Sequence, residues 1–107
     1  MVLMKGFDYM LNSKQRAKLK SIASTEDTIL QVGKNGVIDT LVVQVNDALK
    51  ARELIKMKVQ ENCMLSPAEA ANELAEKTKS EVVQVIGSKF VLFKRNPQNP
   101  KIDLKTK

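Results

Sequence analysis

The chain has no histidine, no tryptophan and one cysteine, Cys63, in 107 residues. Each absence removes a class of chemistry. A lone cysteine cannot build a disulfide framework, and it argues for a reducing compartment. Without histidine, a usual structural zinc site cannot be assembled within one chain. His-dependent catalytic triads and Cys–His dyads are excluded on the same ground. Aromatics are only 4% of the residues, so the core has to be built largely from Val, Ile, Leu and Met. No uninterrupted apolar run approaches the length of a membrane span, and Met1 to Lys5 is too short and too soon interrupted for a signal peptide. These features predict a soluble cytoplasmic protein with no cofactor and no membrane contact.

What is present is positive charge. Eighteen Lys and Arg against twelve Asp and Glu give +6, which points to an acidic partner, either nucleic acid or an anionic surface. The hydrophobic fraction of 43% suits one globular domain of this length.

Gly33-Lys34-Asn35-Gly36 is the most informative stretch. It follows the short apolar run Ile29 to Val32 and precedes a helical pattern beginning near Val37 to Asp39. Two glycines three apart allow backbone angles and close approaches that side chains forbid. Backbone N–H groups, the positive end of a helix dipole and one lysine then meet at a site fit for an anion. GxxG loops of KH-type modules clamp the backbone of single-stranded RNA in this way. Taken alone, the four residues more often describe a strand-to-helix turn with no ligand.

In chain order, residues 1–10 have no clean period and form a leader, either frayed or docked on the body. Asn12, with Gln15 three residues on, predicts a capped helix start, and Leu11, Gln15, Leu19 and Ile22 fall on its inward face. Lys14, Arg16, Lys18 and Lys20 flank that stripe with no acid among them. Such a run is often a solvated helix edge, but here its self-repulsion would be reversed by a phosphate backbone. After a polar turn at Ser24 to Thr28 comes a strand, Ile29 to Val32, then the glycine loop.

A second helix is expected over Asp39 to Lys50, burying Leu41, Val45, Ala48 and Leu49. A strand over Glu53 to Val59 would send Ile55, Met57 and Val59 one way and Leu54, Lys56 and Lys58 the other. Ser66-Pro67-Ala68-Glu69 is a strong helix start, and Ala70, Ala71, Leu74 and Ala75 face inward over Ala68 to Lys77. Val82 to Ile86 and Lys89 to Lys94 read as strands joined by Gly87-Ser88, a type II′ hairpin. Phe90 and Phe93 read as core. From Asn96 the composition predicts a mobile basic tail, residues 96–107. The order α-β-α-β-α-β-β predicts an α/β fold, a two-layer sandwich with a four-stranded mixed sheet packed with helices on at least one face.

With these residues placed, the chain resembles the YhbY-type CRM domain family, of chloroplast RNA splicing and ribosome maturation. The matching segments are Leu11 to Arg16, Gln31 to Gly36, Ala48 to Lys56, Val82 to Gly87 and Val91 to Lys94, which makes residues 11–95 the domain. The resemblance implies the sheet-and-helix order above, an RNA-binding GxxG loop, and similarity to the C-terminal domain of bacterial translation initiation factor three. Stand-alone bacterial members look like ribosome-associated proteins acting on the large-subunit precursor, and a chain this short looks like that kind. Asn12 stands where the family usually has Thr, and Phe93 and Lys94 replace a frequent Tyr and Arg. Ile38 stands where Thr or Ser is common and cannot cap the second helix, so the first turn must rely on Asp39 or water.

The expected function is docking on structured ribosomal RNA as a monomer, in large-subunit assembly. Gly33 and Gly36 would let the loop approach, Lys34 would pair with phosphate and Asn35 would bond sugar or base. Lys14, Arg16, Lys18 and Lys20 would extend the basic surface, with Arg52, Lys56 and Lys58 as secondary candidates. The rival reading is an assembly adaptor whose main contact is a protein, with RNA contact secondary. No enzyme is expected: Glu69, Glu73 and Glu76 read as helix surface charge, and no nucleophile–base pair stands out.

Overall fold

Among the described residues three helices and four strands follow one another as α1 (Ser13–Ala23), β1 (Thr28–Val32), α2 (Asp39–Arg52), β2 (Leu54–Val59), α3 (Pro67–Thr78), β3 (Glu81–Ile86) and β4 (Lys89–Phe93). The structure is a computed structural model and describes residues 11–96 and Ile102. The leader, residues 1–10, and most of the tail lie outside the described residues.

Two helix starts are fixed by local chemistry. The Gln15 N–H donates to Asn12 Oδ1 at 2.8 Å, and the Asn12 N–H donates to Gln15 Oε1 at 3.1 Å. At α3 the Glu69 N–H donates to Ser66 Oγ at 3.1 Å, and the Ser66 N–H donates to Glu69 Oε1 at 2.8 Å, with Pro67 at the first helical position. Each box satisfies two N–H groups that the first helical turn leaves without partners. By contrast, α2 starts from Ile38 with no side-chain cap, and Asp39 is the acid in its first turn.

The strands form one mixed sheet in the order β1-β2-β4-β3. β1 and β2 run parallel, with α2 as their crossover, whereas β2–β4 and β3–β4 are antiparallel. The β3–β4 connection is the two-residue turn Gly87-Ser88. Gly87 has φ +58° and Ser88 is not left-handed, the pattern of a type II′ turn.

Alternation along β2 and β4 divides the core by face. Ile55, Met57, Val59, Phe90 and Leu92 meet Leu41, Val45 and Leu49 of α2 and Ala70, Ala71 and Leu74 of α3. The two α3 alanines are fully buried, so no larger side chain holds that helix off the sheet. On the other face, Leu54, Val91 and Phe93 join Val83 of β3 beneath Leu19 and Ala23 of α1. The sandwich of sheet and two helices thus gains a partial third layer from α1. Leu19 is its anchor at 0% exposure, and burying such a side chain contributes roughly 1.5–3 kcal/mol.

The expected end of α2 needs correction. α2 continues to Arg52, and Glu53 is its C-cap at φ +63° rather than the first residue of the strand. Glu53 is completely buried. Its carboxylate accepts the N–H of Asn96 and that of Ile102, the latter at 2.9 Å, while its carbonyl accepts the Lys94 N–H at 2.9 Å. Asn96 also donates from Nδ2 to the Lys50 carbonyl at 3.0 Å. These contacts hold Glu53 in a backbone region that few side chains adopt. They also give the Asn96 and Ile102 amides a common acceptor.

Candidate functional site

The glycine loop stands where β1 hands over to α2, at the carboxyl ends of the parallel strands. Val32 is buried at the end of β1, and its carbonyl accepts the Gln60 N–H at 3.0 Å, which ties the loop to the segment after β2. The Gly36 N–H then donates to the Gly33 carbonyl at 3.0 Å. This closes a β-turn with Lys34 and Asn35, both exposed, at its tip. The first turn of α2, which has no side-chain cap, begins at Asp39 and adds the positive end of the helix dipole, with the Asp39 carboxylate in the same turn.

The two glycines differ in what the fold requires of them. Gly36 has φ +74°, a left-handed conformation that suits glycine at the fourth turn position. Gly33 is not left-handed, and a Cβ there would meet only Gln60 Oε1 at 3.6 Å, an ordinary contact. Conformation therefore accounts for Gly36, since a Cβ there too would make only an ordinary contact, with Leu65 Cδ1 at 3.5 Å, whereas neither conformation nor packing gives Gly33 a structural reason. Beside the loop, the Gln60 Nε2 donates to Gln31 Oε1 at 2.6 Å.

The remaining candidates fall into separate places. Lys14 and Lys20 are exposed on α1. Lys18 is half-buried and lines a shallow cleft with Ile22, Glu26, Arg52, Leu54 and Ile102. Arg52 lies on the last turn of α2, not on a strand. Leu54 opens β2 and Val59 closes it beside the loop, so the cleft is on the order of 17 Å from the glycines.

Arg16 and Lys56 make contacts inside the fold. The Arg16 guanidinium donates to the Val82 and Val83 carbonyls at 2.8 and 3.1 Å and lies 3.6 Å from the Glu81 carboxylate. It pins α1 to the edge strand β3. The Lys56 ammonium donates to the Ala23 carbonyl at 3.2 Å, an acceptor at the end of α1. Cys63 is a half-buried free thiol packed against the core between β2 and α3. Among the described residues no group of three or more His, Cys, Asp or Glu could hold a metal ion. No described helix is long and apolar enough to cross a membrane.

Sequence reasoning does not mark Lys89. A lysine starting a strand carries no local signal, and its neighbours depend on a β2–β4 register that links residues about thirty apart.

Architecture and loop together define a small α/β domain whose mixed sheet presents a GxxG turn at one end. The chain belongs to the CRS1 / YhbY (CRM) domain family, whose model matches residues 11–94. It is 42% identical over 95 residues to the Probable RNA-binding protein YqeI of Bacillus subtilis, covering 89% of this chain and 99% of that one. It is 32% identical over 97 residues to a Haemophilus influenzae protein named RNA-binding protein, covering 91% and 97% of the two chains. The solution structure of SAV1595 from Staphylococcus aureus matches with a TM-score of 0.75 at 42% identity, over 90% of this chain and all of that one.

Proposed function

We propose that this protein binds structured ribosomal RNA chiefly through the RNA backbone, with the Gly33–Gly36 loop as its anchor, and acts in assembly of the large ribosomal subunit. The observation that carries the reading is Gly33. Its glycine is required neither by φ nor by packing, yet a bare backbone at the loop entrance is what close approach of a phosphate needs. Lys34 supplies the cation and Asn35 a donor and an acceptor, both exposed beside it. The RNA-binding names of the relatives support the ligand class. The ribosomal assignment rests on the resemblance to the stand-alone bacterial members. In this reading the protein is a cytoplasmic monomer, Lys14 and Lys20 widen the positive field, and Arg16 and Lys56 serve by holding α1 in place.

The test is sedimentation of the wild type and a Lys34→Asp/Asn35→Asp variant with cell lysate, at low and moderate salt. The wild type is expected to travel with large-subunit precursors, less so as salt rises, and the variant to remain at the top of the gradient. Equal co-migration of both proteins would overturn docking through the loop and favour a protein-contacting adaptor. Wild type found only at the top would refute the ribosomal assignment.

A further inference from the structure

On the α1 face of the sheet, α1 covers the rows containing Leu54, Val83, Val91 and Phe93. It leaves the row nearest the glycine loop bare. Strand registers place Gln31 beside Lys58, Lys58 opposite Lys89 and Lys89 opposite Ile86, one residue from each strand in the order β1-β2-β4-β3. All four are exposed, Ile86 at 61%.

Two features of this row ask for an anion. Lys58 and Lys89 face each other across an antiparallel pair, which brings their Cβ atoms to about 5 Å and makes like charges mutually destabilising. Neither ammonium has an ion pair or hydrogen bond among the described residues; the ion pairs there are Arg16–Glu81 and Lys77–Glu73. The acid nearest Lys58 in sequence, Glu61, is exposed and pairs with neither, and the one nearest Lys89, Glu81, pairs with Arg16. The row is also continuous with the loop. Gln31 lies two residues before Gly33, Gln60 bridges to it at 2.6 Å, and the Val59 N–H donates to the Ser88 carbonyl at 2.8 Å, fixing the β3–β4 turn at the same end.

We propose that the bare end of the sheet is a second RNA-backbone surface, on which Lys58 and Lys89 neutralise phosphates next to the one held at the glycine loop. This rests on the RNA-binding reading above and extends it along a defined path, from Gly33 across β2 and β4 toward Ile86. Strands about 4.8 Å apart make the row roughly 14 Å wide, room for a short stretch of one strand. Ile86 at the far end offers apolar contact to a sugar or base. A phosphate between the two lysines converts their repulsion into two attractions. A charged sheet face with two cations and no acid matches a polyanion and not an acidic patch alternating with basic groups.

The experiment measures binding of a mixed-sequence single-stranded RNA of about 20 nucleotides by fluorescence anisotropy, from about 50 to about 300 mM salt. Wild type, Lys58→Gln/Lys89→Gln, Lys58→Arg/Lys89→Arg and Lys34→Asp/Asn35→Asp are compared. The Gln pair should lose affinity by about tenfold at the lowest salt, and its log–log salt slope should shrink by about 1.4, two phosphates at about 0.7 each. The Arg pair should keep the wild-type slope. Thermal midpoints of the Gln pair should equal or exceed wild type, since the repulsion is removed. If the Gln pair matches wild type in affinity and slope while the loop variant loses binding, the sheet surface is refuted and the loop reading stands. Lost affinity with an unchanged slope refutes it as well. If both variants bind like wild type, or wild type fails to bind at the lowest salt, the path of a single strand across the sheet is refuted, and the loop reading is decided by the sedimentation test above.

Discussion

Gly33→Ala separates folding from binding. The added methyl meets only Gln60 Oε1 at 3.6 Å, and Gly33 is not left-handed, so the folded state accepts alanine without strain. The unfolded chain loses backbone freedom, so stability should rise by roughly 0.4–1 kcal/mol. For a domain of this size that is an increase of about 2 to 8 °C in the thermal midpoint. Binding should move the other way. If the methyl displaces one phosphate from its charge-assisted N–H bond, about 1.5–3 kcal/mol is lost, roughly 10- to 150-fold in affinity. Gly36→Ala is the control. Its φ of +74° forces alanine into the left-handed region, costing on the order of 1–2 kcal/mol and lowering the midpoint. Calorimetry and RNA titration on both variants decide the matter. A Gly33→Ala protein that is as stable as wild type and binds RNA equally well would refute the claim that the loop is a backbone cradle. One that unfolds early would show that the loop geometry described above is wrong.

Glu53 should be the most sensitive polar position: Glu53→Ala removes the acceptor of two N–H groups in a buried setting. The loss should be about 3 kcal/mol or more in denaturant melts, with the Asn96 and Ile102 amides losing protection in hydrogen exchange; protection unchanged would contradict the clamp. Ile38→Ser supplies the cap that α2 lacks, and stability should rise by about 0.5–1 kcal/mol in the same melts. A loss of stability there would mean that Ile38, 45% exposed, packs better than its surroundings show.

Much of this domain is governed by forces that act within a few residues, and those the sequence determines by itself. The Asn12–Gln15 and Ser66–Glu69 boxes, the inward alanines of α3, the alternation of Ile55, Met57 and Val59 and the Gly87-Ser88 turn all follow from side chains at most five positions apart. The element order and the four-stranded mixed sheet follow from them, and so does the position of the glycine turn between β1 and α2. Tertiary structure alone decided where cations are spent and where they are left bare. Arg16 reaches carbonyls 66 and 67 residues away, Lys56 reaches one 33 residues away, and Asn96 and Ile102 close on Glu53 across 43 and 49 residues. Local propensity would have begun the strand at Glu53. Burial of its carboxylate against two backbone donors outweighs the cost of φ +63° and lets α2 run on. Register is decided in the same way. Lys58 and Lys89 become neighbours because Ile55, Met57, Phe90 and Leu92 must share one buried face, and a slip by one residue would turn that whole set to water.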